Sequence, residues 1–200
     1  MINPPLPLLE SEHIWVADDC DYVRRVLLRG FKRSGRAAQV RFFSDGNALV
    51  QHAAKVLCGP NVLLLDIEMP GMCGLDALMR LRTFSAFART TVIVFSASDN
   101  ADHVAEAYNR GAQLFLRKPG SLVKFETITK LLTLGAESLR SLPFAHFPDV
   151  SDLNRALLLG SRFTTDNDGI HNALLSKQPR VQVQHTEFCH TENRNDLHPA

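Results

Sequence analysis

Five polar residues in this sequence follow short apolar runs, and their side-chain types suit chemistry at phosphorus. Asp18 and Asp19 follow the first such run, while Asp66, Ser96 and Lys118 each follow a later one. Three carboxylates that converge cannot all stay ionised without a cation, and a hard ion that takes oxygen ligands, such as Mg²⁺, fits them. One aspartate could then act as a nucleophile toward phosphorus and form an acyl phosphate.

These side chains can meet only if the apolar runs are strands of one sheet. The runs are short and are bounded by turn residues, which is typical of strands buried on both faces. We predict strands at 13–17, 40–43, 62–65, 91–95 and 113–117. Helical spacing between them predicts a helix from Asp21 to the Ser34–Gly35 stop, then helices 48–57, 75–83, 101–110 and 121–134. Arg24, Arg25 and Arg29 fall on the outer side of the first helix.

The alternation of strand and helix predicts an α/β fold with a doubly wound, five-stranded parallel sheet and helices on both faces. Right-handed crossovers allow the strand order 2-1-3-4-5, with a crevice at the carboxyl ends of strands 1 and 3. The five polar residues would converge there. Taken singly, Asp66 could instead be a helix cap, Ser96 a turn residue and Lys118 a solvated charge.

Within that crevice, phosphoryl transfer needs mainly positioning and neutralisation of the phosphoryl oxygens. Mg²⁺ would take one oxygen and Lys118 another. The Ser96 hydroxyl or a backbone N–H would take the third.

Four motifs in order give a specific resemblance. They are the acidic pair 18–19, D-x-x-M-P-x-M-x-G at 66–74, the Ser-Ala pair 96–97, and G-A-x-x-[FY]-x-x-K-P at 111–119. With these motifs, residues 13–134 resemble the receiver domain of bacterial two-component response regulators, of the stand-alone CheY-like type. The resemblance implies a flavodoxin-like fold.

The resemblance also implies a role for each site residue. Asp66 would accept phosphate from a sensor histidine kinase or a phosphotransfer protein. Asp19 and Asp66 would hold Mg²⁺ together with the Glu68 backbone carbonyl, and Asp18 would act mostly through a water. The chain would then be a signalling phosphoacceptor, limited to self-phosphotransfer and autodephosphorylation, and not an enzyme in the usual sense.

Other implied roles concern the switch. Ser96 would be the switch hydroxyl, Phe115 the aromatic ring that changes rotamer, and Lys118 the phosphate-binding cation. The Lys118–Pro119 bond would be cis, an isomer of modest cost only before proline. Cys73 and Ser96 depart from the commoner Asp and Thr of the family, and Glu68 adds a carboxylate beside the acyl phosphate.

Composition and the chain ends set the remaining expectations. The net charge of +1 gives no bulk attraction to nucleic acid or an acidic membrane, and no signal peptide, membrane span or CxxC pair is present, so we expect a cytoplasmic protein.

We divide the chain into an arm 1–12, a receiver domain 13–141 and an extension 142–200. In that extension, 149–159 is one candidate helix and the rest is predicted to be disordered.

Five other interpretations of the sequence compete with this one. A haloacid-dehalogenase-type phosphatase places its nucleophile strand first, and this chain has the reverse order. A DNA-binding output needs a basic helix-turn-helix, which 143–200 does not offer. The tail residues His185, Cys189, His190 and His198 match no standard zinc spacing. The remaining alternatives are a degenerate receiver acting as a phosphorylation-independent platform, or an atypical C-terminal output. We expect output by contact with a downstream protein, with a homodimer as a further candidate.

Overall fold

The computed structural model describes residues 14–133, 138–139, 142 and 145–159. The N-terminal arm, the segment from 160 onward and the tail histidines lie outside the described residues. The strands are β1 Ile14–Ala17, β2 Val40–Phe43, β3 Val62–Leu65, β4 Thr91–Ser96, β5 Leu114–Arg117 and β6 Ala145–Phe147. The helices are α1 Asp21–Arg33, α2 Gly46–Ala53, α3 Gly74–Leu81, α4 Ala101–Asn109, α5 Leu122–Thr133 and α6 Val150–Leu159, with short 3-10 turns at Ala37–Gln39 and Ser85–Phe87.

All six strands form one parallel sheet in the order β2-β1-β3-β4-β5-β6. The predicted α/β class and the order 2-1-3-4-5 are therefore confirmed, and a sixth strand is added at the β5 edge. Ala17 pairs with Phe43 on one side and with Leu65 on the other, so β1, β2 and β3 end level with one another. The residues that follow β1 and β3 therefore emerge side by side.

Alternating side chains of the central strands build two cores. Val16 and Leu64 face a core with α1, α5 and α6, while Trp15, Leu63 and Phe115 face a second core with α2, α3 and α4. Burial on both faces explains why these strands are continuous apolar runs. Among the described residues, no helix combines the length and the hydropathy needed to cross a membrane.

The turn after β3 depends on two glycines. Gly71 has φ +75°, and a Cβ at Gly74 would lie 1.8 Å from the Asp66 carbonyl oxygen. A side chain at Gly74 would therefore push α3 away from the end of β3. The turn is further fixed by Gly74 N, which donates to Ile67 O at 2.8 Å.

Both ends of α2 differ from the predicted helix 48–57. Helix α2 begins earlier than predicted because the Asp45 side chain accepts a hydrogen bond from Ala48 N at 2.7 Å and caps it. It ends at Ala53, and Leu57, which we had included, is 96% exposed.

The segment after residue 141 contributes to the sheet. Strand β6 pairs with β5, and Phe147, Val150, Leu153 and Ala156 are buried in the same core as α1 and α5. Asp149 begins α6 by accepting from Ser151 N at 2.8 Å, and it also accepts a hydrogen bond from Lys124 of α5. The boundary predicted at 141 thus falls between two parts of one sheet, and the candidate helix 149–159 is present as α6.

We expect truncation at residue 141 to destabilise the protein strongly, because it uncovers the β5 edge and the surface under four buried apolar side chains. At about 1.5–3 kcal/mol for each large side chain, the loss is several kcal/mol. The melting temperature should fall by roughly 10 °C or more relative to the full chain. Calorimetry of 1–141 tests this, with 1–160, which keeps β6 and α6, as the matched control. Equal melting of 1–141 and 1–160 would contradict the packing of β6 and α6.

Candidate functional site

The ends of β1 and β3 place two carboxylates in one crevice. Asp18 N donates to Phe43 O at 3.1 Å, and Asp66 N donates to Ala17 O at 2.8 Å, so both residues continue the strand ladders. Their exposed fractions are 1% and 3%, whereas Asp19 is exposed at the rim. One oxygen from each of the three carboxylates lies within 4.8 Å of the others.

This cluster fits a divalent cation. Carboxylate oxygens are the ligands that Mg²⁺ prefers, and three negative charges exceed the single positive charge of the neighbouring Lys118. Asp18 Oδ2 is buried, and its described contact is with the Lys118 ammonium. The Glu68 side chain is exposed and stays outside the cluster, and its backbone N approaches Asp66 Oδ1 at 3.4 Å.

Lys118 lies between the two buried carboxylates. Its Nζ donates to Asp66 Oδ2 at 2.6 Å and forms an ion pair with Asp18 Oδ2 at 2.8 Å. Burial lowers the pKa of Lys118, but its hydrogen bonds to Asp18 and Asp66 and their charges outweigh burial and hold the pKa above its usual value. The side chain is therefore charged at neutral pH.

The predicted cis Lys118–Pro119 bond is wrong for this structure, which contains no cis peptide among its described residues. A trans bond already lets Lys118 N donate to Ser96 O at 2.7 Å while Nζ reaches both carboxylates. The trans isomer is also the intrinsically favoured one before proline, by about 0.5–1 kcal/mol.

The buried position of Asp66 shifts the pKa of its carboxyl group. Burial, helped by the charge of Asp18, raises the pKa of the Asp66 carboxyl to about 6, against the opposing hydrogen bond and charge of Lys118. The ionised form of Asp66 is thus held in an environment that disfavours it without a further cation.

The two candidate switch residues lie on β4 and β5. Ser96 ends β4 fully buried, and its Oγ accepts from Ser98 N at 3.2 Å, just before α4. Phe115 is fully buried in β5 and meets His146 of β6 edge-on, with ring centroids 5.4 Å apart. The sequence reasoning did not anticipate this contact with β6.

Sequence reasoning also missed Arg24, which we had assigned to the outer side of α1. Its side chain is only 20% exposed. Arg24 Nη1 donates to Asp18 O at 2.6 Å and to Asp19 O at 2.7 Å. An arginine six residues after the first carboxylate, on the opening turns of the next helix, is the signal that could have found it.

Comparisons with family models, known proteins and solved structures all point to response regulators. Residues 14–130 match the response regulator receiver domain family. The DNA-binding transcriptional regulator NtrC of Salmonella typhimurium is 36% identical over 106 residues, which are 53% of this chain and 21% of that protein. The nitrate/nitrite response regulator NarL of Escherichia coli is 36% identical over 109 residues, 54% of this chain and 46% of that protein.

The chain thus spans less than half the length of these relatives. Among solved structures, the chemotaxis response regulator CheY4 of Vibrio cholerae superposes with a TM-score of 0.52 at 22% identity, covering 62% of this chain and 96% of that chain. At this identity the likeness shows the fold.

We expect Asp66→Asn to stabilise the metal-free protein at pH 8, because the amide removes a buried charge while Lys118 keeps Asp18 as its partner. The gain should be on the order of 1–3 kcal/mol, or about 2–4 °C in melting temperature for each kcal/mol. The folded-state pKa lies above the usual value of 3.8, so wild type regains this stability as pH falls from 6 toward 4.

Thermal unfolding in a chelating buffer at several pH values measures the difference. Glu68→Gln is the matched control, since it removes an exposed carboxylate next to the site and should change melting little. An Asp66→Asn variant that melts below wild type at pH 8 would show that the ionised carboxylate is favourable there.

Proposed function

The chain belongs to the response regulator receiver domain family, and we propose that Asp66 is its phosphoacceptor in two-component signal transduction. A sensor histidine kinase or a phosphotransfer protein would supply the phosphoryl group. The observation that carries this proposal is the position of Asp66: a buried carboxylate at the carboxyl end of β3, 2.6 Å from Lys118 Nζ and grouped with two further carboxylates.

In the proposed step, a carboxylate oxygen of Asp66 attacks the phosphorus of a phosphohistidine. The P–O bond forms as the P–N bond breaks, and the imidazole leaves with the electron pair and takes up a proton. The negative charge of Asp66 moves onto the phosphoryl oxygens. Lys118 Nζ, which already contacts Asp66 Oδ2, follows that charge to a phosphoryl oxygen while its contact to Asp18 is kept.

Asp18, Asp19, Asp66 and the Glu68 backbone carbonyl are the groups we assign to Mg²⁺. The bound ion supplies neutralisation of the phosphoryl oxygens during transfer. The protein's own contribution is to hold these oxygen ligands at one crevice, with Asp18 and Asp66 fixed by the strand ladders.

For the switch, we assign Ser96 and Phe115. A phosphoryl oxygen that draws the Ser96 hydroxyl toward Asp66 would weaken the bond from Ser98 N, which lies just before α4. Phe115 packs on His146, so a rotamer change of Phe115 would alter its contact with β6. The responsive face would therefore comprise α4, β5, α5 and β6. We propose that output is contact of this face with a downstream protein.

We predict that acetyl phosphate with Mg²⁺ adds one phosphoryl group to wild type and none to Asp66→Asn. Intact-mass measurement detects the addition directly. Lys118→Gln should slow labelling by at least tenfold, because it removes the cation that follows the developing charge.

Asp76→Asn is the control for this experiment. Asp76 is an exposed carboxylate near the start of α3 that pairs with Arg110, away from the buried pair. It should label like wild type. Equal labelling of wild type and Asp66→Asn would remove the assignment of Asp66.

We predict that beryllofluoride with Mg²⁺ alters hydrogen exchange at Ser98, in β5 and in β6. The reason is the path from the Ser96 hydroxyl to the start of α4 and from Phe115 to His146. The ligand acts only through its different affinity for the two conformations. Asp66→Asn treated in the same way is the control and should not respond. Exchange changes confined to the immediate surroundings of Asp66 would contradict the proposed switch face.

A further inference from the structure

The Arg24 side chain donates hydrogen bonds to the backbone of the acidic pair. Arg24 Nη1 donates to the carbonyl oxygens of both Asp18 and Asp19, at 2.6 and 2.7 Å. The same guanidinium places Nη2 3.3 Å from Asp21 Oδ1, at the first residue of α1. A single planar fork thereby ties the loop between β1 and α1 to the helix that follows it.

The other backbone groups of this loop show why the fork matters. Asp18 N is held by Phe43 O, Cys20 N by Asp18 Oδ1 at 2.9 Å, and Cys20 O by Arg24 N at 3.1 Å. Among the described contacts, Arg24 supplies the donors to the carbonyls of Asp18 and Asp19. Without it, both carbonyls would depend on water, and the peptide plane between the two acidic residues would be free to turn.

Because that peptide plane sets where both carboxylates point, we propose that Arg24 is a positioning residue for the Mg²⁺ site. The inference rests on the proposed function, since it assumes that Asp18 and Asp19 serve the ion. The described contacts of Arg24 are with the two carbonyls and with Asp21, and none is with the carboxylates of Asp18, Asp19 or Asp66. It acts through the backbone of the acidic pair, and outer-shell groups of this kind typically change metal affinity by about 10–100-fold.

Arg25 provides an internal contrast. It is the next residue on the same helix, and its side chain is 73% exposed. Its described ion pair is with Asp21, at 2.6 Å. Arg25 thus carries the same charge near the same loop but holds neither carbonyl.

Charge and geometry predict opposite outcomes when Arg24 is replaced. If only its charge mattered, removing a cation near the site would tighten Mg²⁺ binding. If the fork positions the carboxylates, removal weakens binding. Arg24→Lys separates the two effects, because it keeps the charge but lacks the planar guanidinium, whose Nη1 reaches both carbonyls while Nη2 reaches Asp21.

The experiment titrates full-length wild type, Arg24→Lys, Arg24→Gln and Arg25→Gln with Mg²⁺, using calorimetry or the fluorescence of Trp15, which precedes Asp18 on β1. We expect Arg24→Gln to weaken Mg²⁺ binding roughly tenfold and Arg24→Lys to lie between it and wild type. Arg25→Gln should stay within about twofold of wild type.

A stability control and a metal-free readout accompany the titration. Asp149→Ala removes the cap of α6 and changes no described contact of the β1–α1 loop, so it should lower the melting temperature while leaving Mg²⁺ affinity unchanged. Hydrogen exchange at Cys20 in a chelating buffer should speed up in both Arg24 variants but not in Arg25→Gln. The exchange readout also serves if Arg24→Gln proves too unstable to titrate, because Arg24→Lys suffices for it.

The outcomes separate the two levels of inference. Wild type that fails to bind Mg²⁺ would overturn the metal site of the proposed function, and with it a metal-positioning role. Wild type that binds Mg²⁺, together with Arg24→Lys and Arg24→Gln that bind equally well or more tightly, would overturn the role of Arg24 alone. Weaker binding in both Arg24 variants, with Asp149→Ala and Arg25→Gln unchanged, supports it.

Discussion

The site depends on one ammonium group held between two buried carboxylates. Lys118 Nζ lies 2.6 Å from Asp66 and 2.8 Å from Asp18, both almost completely removed from solvent. Loss of Lys118 from such an arrangement would leave two buried carboxylates without a cation, which is costly for a folded protein. The parallel sheet makes this arrangement possible, because the ends of β1, β3 and β5 bring the three groups together from distant parts of the chain.

The crevice holds more carboxylates than ammonium groups, and this excess of negative charge favours the binding of a cation. Asp19 adds a third carboxylate at the rim, and the pKa of Asp66 is raised to about 6. A cation is therefore favoured by the same burial that disfavours the ionised carboxylate. In the proposed phosphoryl transfer, the negative charge of Asp66 would pass to the phosphoryl oxygens, and Lys118 would follow it. The resting contacts of Lys118 are in this sense the starting point of the proposed switch.

The C-terminal segment changes what the sheet presents to partners. Strand β6 pairs with β5, which would otherwise be an open edge that invites pairing with other chains. His146 lies edge-on to Phe115, and α6 packs in the core with α5. The β5 edge is thus covered by a strand of the same chain.

The sequence by itself determined the central sheet and most of the candidate site. The apolar runs before Asp18, Asp66 and Lys118 are local patterns, and only a parallel sheet buries such runs on both faces. The tight turn at Gly71–Gly74 was likewise visible in the glycines that the backbone requires.

Tertiary structure decided the features that depend on distant contacts. Strand β6 is three residues long, too short for a periodic signal, and it exists because the β5 edge and the core beside α5 accept it. Arg24 looked like a solvent-facing charge by helical spacing, yet its long side chain turns back to two carbonyls that no pattern reveals.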